Sequence, residues 1–117
     1  MVPTPPRRGE FWWVDFGSSQ GGEIRKARPA IVLSNDAANA HLNRVQVIPL
    51  TSSTDRLYPS EAYVTVDGRR SKAMADQLTT ASKSRLRSRF GSLSLEDLAA
   101  VERAVRVFQA ILEEIGG

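Results

Sequence analysis

The chain has 117 residues, 41% hydrophobic and 25% charged, with 16 Lys and Arg against 13 Asp and Glu and no cysteine. That length suits one domain able to bury roughly two-thirds of its unfolded surface without staples, and the lack of cysteine excludes disulfides, thiolate catalysis and cysteine-ligated metals. The basic, proline-rich opening has no apolar core behind it and no apolar run approaches the roughly eighteen residues of a membrane span, so a cytoplasmic protein that neither enters nor crosses a membrane is expected.

In chain order, residues 1–8 read as a flexible N-terminus. Residues 10–16, EFWWVDF, form an aromatic-rich strand suited to burial on both faces. The glycine-rich stretch 17–22, GSSQGG, is a mobile loop. Strands follow at 30–34 and 45–50, with a turn or short helix over 35–43, and another strand at 62–66. Asp67-Gly68 signals a tight hairpin, with 72–78 as the returning strand and 87–93 as the last one. Short strands with close turns favour a small barrel.

The C-terminal end follows a different period. S-L-E-D at 94–97 is a capping-box-like start, after which Leu98, Val101, Val105, Phe108, Leu112 and Ile115 recur at steps of three and four. One amphipathic helix over 94–115 is expected, docked on the barrel by burial worth on the order of 10 kcal/mol before entropy. A single domain spans 1–117.

Charge is unevenly placed. Residues 1–93 hold 14 Lys and Arg against 8 Asp and Glu, while 94–117 hold 2 against 5, giving a body of +6 and a tail of −3. Local field steers association, so the body suits an anionic partner. Lys83, Arg85, Arg87 and Arg89 alternate along the chain; an extended backbone would put all four on one face and a helix would spread them around. A solvated basic face is the default there, and a phosphate track the alternative.

Three strand ends deliver polar groups. Glu23, Arg25, Lys26 and Arg28 precede Pro29 and the apolar run 30–33; Thr51, Ser52 and Ser53 close the 45–50 strand; Asp76, Gln77 and Lys83 frame the third cluster. Reactive groups gain precision at such positions. The lone His41 sits in a polar stretch without carboxylate or histidine neighbours at ligand spacing, which argues against metal chemistry and a Ser-His-Asp triad. No nucleotide-binding glycine loop is present, so no cofactor is expected. RNA offers another route: its own 2′-hydroxyl can attack the adjacent phosphate, leaving the protein to position the backbone, stabilise charge and move protons. Arg28 suits the phosphate because its planar fork can hold two oxygens, and Thr51 can donate a further hydrogen bond. Phe16, Gln20, Lys26, Asn35, Ser52, Asp76, Gln77 and Lys83 flank the strand ends with stacking, amide and phosphate-binding groups.

In order, RGEFWWVDF at 8–16, K-A-R-P at 26–29, VQVIPLTSS at 45–53 and DQLTT at 76–80 resemble the MazF/PemK toxin family of ribonucleases, over residues 8 to about 112. The resemblance implies an SH3-like small β-barrel with a C-terminal helix, of the MazF/PemK/CcdB type. It implies the toxin of a toxin–antitoxin module, a metal-independent endoribonuclease that cuts single-stranded RNA to 2′,3′-cyclic phosphate and 5′-hydroxyl ends. Arg28 and Thr51 match the family's principal catalytic positions. Glu23 matches a loop carboxylate that moves a proton or orients Arg28, a simple loop salt bridge being the alternative. A homodimer is implied too, inhibited by an antitoxin whose acidic disordered tail wraps the substrate groove. The chain departs from the family in the third cluster, where the family follows D-Q-I with Arg-Thr, an apolar residue and Asp-Lys, and where Thr79, Ala81 and Ser82 stand at the first, third and fourth of these positions, which bears on which RNA sequence is read. Two rivals stand beside this reading. A gyrase-binding toxin of the same fold would end in Trp-Gly-Ile, whereas this chain ends E-I-G-G and carries its tryptophans at Trp12 and Trp13. A non-catalytic RNA-binding barrel would keep the basic body without needing Thr51.

Overall fold

The computed structural model describes residues 4–17 and 27–116, with side chains to 110. Strands β1 (Glu10–Asp15), β2 (Ala27–Val32), β3 (Arg44–Thr51), β4 (Glu61–Val66), β5 (Arg69–Met74), β6 (Thr79–Ser82) and β7 (Leu86–Ser92) form one antiparallel sheet, with short helix α1 (Asp36–His41) between β2 and β3 and helix α2 (Leu95–Gly116) at the end. The order is β4-β5-β3-β2-β1-β7, and β6 pairs with the first half of β3 beside β5 on the second half. The expected mostly-β barrel with a C-terminal helix is thus observed, as a half-barrel.

Strand alternation sorts the apolar residues onto two faces. Phe11, Ile31, Leu33, Ile48 and Leu50 face α2, whose Val101 and Ala104 are buried against them with Val64 and Ala73. Val14, Ala30, Val32, Val45, Val47 and Ala81 form a second cluster on the other face, flanked by Trp12 and Leu86. The helix is seated by polar contacts as well as apolar ones. Ser94 Oγ accepts the Asp97 amide at 3.1 Å, as an N-cap should, but the Asp97 carboxylate does not close a capping box. It accepts the amide of Thr65 on β4 at 2.8 Å and so ties the first turn to the sheet.

Several boundaries differ from the sequence reading. β2 starts at Ala27, not at residue 30, because Pro29 is no obstacle there: it pairs with Trp13 of β1, while the β2–β3 ladder begins only at Ala30. Asp67 and Gly68 both have positive φ, 54° and 75°, the two-residue turn that the hairpin signal calls for. Such a turn leaves no slack, so Val66 pairs directly with Arg69 and β5 begins there and not at 72. The strand expected to run to 78 stops at Met74, where a 3₁₀ turn, Ala75–Gln77, redirects the chain into β6, which the sequence reading missed. β1 is not buried throughout: Trp13 remains 37% exposed, tilted against Phe90 at 5.0 Å. The mobile loop expected at 17–22 falls mostly outside the described residues. Among the described residues no helix is long and apolar enough to cross a membrane.

Candidate active site

The second face runs out of apolar residues at one end, and there the polar strand ends meet. Val14 pairs with Arg28, and Ala30, two residues on, pairs with Pro49 of β3. Beyond the end of that ladder Arg28 continues β2 and Thr51 continues β3, and alternation puts each side chain on the face of the residue two positions away, Ala30 and Pro49. β6 lies on the far side of β3, with Thr79 opposite Val47. The outcome is a cleft of about 320 Å³ lined by Phe16, Arg28, Pro49, Leu50, Met74, Gln77 and Thr79. Phe16 is turned outward and remains 37% exposed, because the Asp15 carboxylate folds back onto the Gly17 amide at 2.8 Å and bends the chain as β1 ends.

Arg28 is exposed at the mouth of β2, and among the described residues no carboxylate pairs with it. It lines the cleft, and its guanidinium carries five N–H donors in a fork suited to a phosphate. Thr51 is half-buried at the end of β3, and its Oγ1 accepts the Ser53 amide at 3.2 Å. One lone pair is thus occupied by the chain and the hydroxyl proton is left to donate outward.

The candidate residues named from sequence fall into three groups. Phe16, Arg28 and Gln77 line the cleft, with Thr51 and the exposed Ser52 just beyond Leu50 and Asp76 beside Gln77 in the 3₁₀ turn. Asn35 and Lys83 lie elsewhere in the single chain. Asn35 caps α1, accepting the Ala38 amide at 2.8 Å, and lines a groove with Arg8, Arg44 and Gln46 at the opposite end of β2. Lys83 lines another groove with Pro5, Pro6 and Trp12. Gln20, Glu23 and Lys26 are outside the described residues. Met74 escaped the sequence reading, and Thr79 was named there only as a departure from the family pattern; the pairing of β5 and β6 onto β3 brings both to the cleft.

The basic run is neither uniformly extended nor helical. Lys83–Arg85 is a 3₁₀ turn and β7 starts at Leu86, so the four cations do not share one face. Arg87 donates to the buried Asp15 carboxylate at 2.7 Å, Arg85 lies 3.8 Å from it, and Arg89 pairs with Glu10 at 3.7 Å. Much of that charge is committed within the fold. Farther along the same face as the cleft, Lys72 is 7% exposed and donates to Glu61 at 2.9 Å. Burial works to raise the Glu61 carboxyl, but the Tyr58 amide and the Lys72 ammonium outweigh it and hold its pKa below the ordinary carboxylate value.

A half-barrel whose cleft holds an exposed arginine and an exposed aromatic, with a threonine at the nearby end of β3, has the makeup of a small nucleic-acid-binding or nucleic-acid-cutting domain. The family model of the PemK-like, MazF-like toxin of type II toxin–antitoxin systems matches residues 7–109, and the chain belongs to that family. It is 36% identical over 110 residues to endoribonuclease MazF9 of Mycobacterium tuberculosis, covering 86% of this chain and 93% of the relative. It is 30% identical over 103 residues to the endoribonuclease toxin MazF of Escherichia coli K12, covering 87% and 92%. Among solved structures, the MazE–MazF crystal structure (Form-III) from Deinococcus radiodurans superposes with a TM-score of 0.75 at 26% identity, covering 94% of this chain and 98% of that one.

Proposed function

We infer that this toxin-family endoribonuclease cuts single-stranded RNA at particular sequences without a metal, by in-line attack of the ribose 2′-oxygen on the adjacent phosphorus. The P–O5′ bond breaks, the 2′-hydroxyl gives up its proton, the 5′-oxygen takes one, and the products carry 2′,3′-cyclic phosphate and 5′-hydroxyl ends. The observation that carries this reading is the cleft that brings Arg28, without a carboxylate partner among the described residues, together with Phe16 and Gln77, with Thr51 one residue beyond Leu50 of its lining. Arg28 holds two oxygens of the developing phosphorane and Thr51 donates to one of them, which supplies the electrostatic stabilisation of the transition state. Phe16 stacks a base and Gln77 reads an edge of one. Glu23 serves as proton-transfer group or as the orienter of Arg28, and Gln20, Lys26, Ser52 and Asp76 extend the binding surface.

The toxin acts in the cytoplasm as a homodimer, whose second copy extends the groove toward Asn35 and Lys83. An antitoxin with an acidic, disordered tail is the inhibitory partner, in keeping with the MazE–MazF structure and with the basic body. The test is to incubate the purified protein with a long mixed-sequence RNA in EDTA and map the fragment ends, beside Thr51→Ala. Discrete cuts with cyclic phosphate ends, lost in the variant, are expected. Cutting that requires magnesium, or none from folded wild type, overturns the mechanism and returns gyrase binding and plain RNA binding to the front.

A further inference from the structure

The segment 52–60, between Thr51 and β4, carries no regular structure, yet four side chains hold successive points of its backbone. Thr51, Lys72 and Tyr63 are directly paired across β3, β5 and β4, so their side chains form one row on one face. From that row Thr51 Oγ1 accepts the Ser53 amide at 3.2 Å, the Tyr63 hydroxyl donates to the Thr54 carbonyl at 2.9 Å, and Lys72 Nζ donates to the Arg56 carbonyl at 2.6 Å. Glu61 Oε1 accepts the Tyr58 amide at 3.0 Å and the second Lys72 bond at 2.9 Å. The Tyr58 ring covers the ammonium at 5.9 Å and the Arg56 guanidinium at 5.8 Å.

Burying Lys72 and Glu61 is expensive unless their bonds do work that an apolar pair could not, because a buried ion pair is weak support for stability by itself. Here both ends of the pair are spent on the strap. We propose that Lys72, held by Glu61, is a positioning residue for RNA cleavage: it fixes the 52–58 strap so that the Ser53 amide stays on Thr51 Oγ1 and the threonine proton points at the scissile phosphate. Lys72 does not touch the substrate; its ammonium is consumed by the Arg56 carbonyl and Glu61. Glu61 remains ionised at neutral pH, because its carboxyl is held below the usual range, and this keeps the clamp charged.

The proposal rests on the ribonuclease reading and is tested with Lys72→Met, which keeps the side chain's length and apolar stem. The substrate is a short oligonucleotide carrying the cut site mapped with wild type; an analogue with 2′-deoxyribose at that site measures binding alone. Single-turnover cleavage is expected to fall about tenfold, the loss of one positioned hydrogen bond, with the Kd of the analogue unchanged. Hydrogen exchange at the Ser53 and Tyr58 amides should accelerate while that at Val47 and Ile48 does not. An unchanged rate, a rate and Kd that worsen together, or faster exchange throughout the sheet each overturn the positioning role. Where Lys72→Met does not fold, Glu61→Gln with Lys72→Met strands no charge and is read the same way. Wild type that cuts no RNA overturns the ribonuclease reading and this role with it, whereas wild type that cuts beside an unimpaired variant overturns this role alone.

Discussion

Replacing Arg28 separates chemistry from folding, because the side chain is exposed and pairs with no carboxylate among the described residues. Arg28→Ala therefore strands no buried carboxylate among the described residues, and its stability cost should stay within about 0.5 kcal/mol, a Tm change of no more than about 4 °C for a domain of this size. The functional cost is larger. A guanidinium gripping two phosphorane oxygens makes two charge-assisted bonds worth about 1.5–3 kcal/mol each. Losing both should slow single-turnover cleavage by about 10²–10⁴-fold, at or above the loss seen when a single oxyanion donor is removed. Arg28→Lys keeps the charge but offers a point in place of a fork, so a loss of about tenfold is expected. The assay is cleavage of the mapped oligonucleotide with enzyme in excess, beside thermal melts of all three proteins. Alanine within about threefold of wild type would refute the phosphate role. Alanine and lysine equally slow, together with a Tm lowered by more than about 8 °C, would make Arg28 a structural residue.

Asp97→Ala removes the acceptor that ties α2 to the Thr65 amide; a loss of about 1–2 kcal/mol is expected, read as a lower urea midpoint with an unchanged m-value. Arg87→Ala should cost about 1 kcal/mol by weakening the ring of donors around Asp15, while the salt dependence of RNA affinity stays near that of wild type; a slope reduced by about 0.7 would put Arg87 on the phosphate backbone after all. Glu61 has a folded pKa below its ordinary value of 4.5, so its contribution to stability is fully present above that value and is lost as pH falls through the folded pKa. In Glu61→Gln that acid-side decline should be absent from a plot of urea midpoint against pH, and an identical decline in both proteins would remove Glu61 from the linkage.

The elements most legible in the sequence were those whose residues act locally. Asp67-Gly68 dictates its hairpin because both residues accept positive φ. Ser94 caps α2 as its pattern requires, and the three-and-four spacing of Leu98, Val101 and Val105 gave the docking face, although the buried Ala104 went unread. The short apolar runs of β2 and β3 announced themselves, but their ends did not. Pro29 looked like a boundary and is interior, and the polar start of β5 looked like turn, because strand limits are set by which neighbour is present and not by composition.

The candidate site divides along the same line. Residue type and order along the chain determined that Arg28 and Thr51 end strands, since an apolar run bounded by polar groups reads the same in any fold. That both side chains fall on the same face follows only from the register between β2 and β3, and a shift of one residue would turn one of them to the helix side. Tertiary structure alone brought Met74 and Thr79 to the cleft, committed Arg85, Arg87 and Arg89 to internal carboxylates, and seated Lys72 and Glu61 beneath the strap after Thr51. Each of these depends on pairing between segments distant in the chain, and long-range pairing is a property of the assembled sheet that no local stretch of residues encodes.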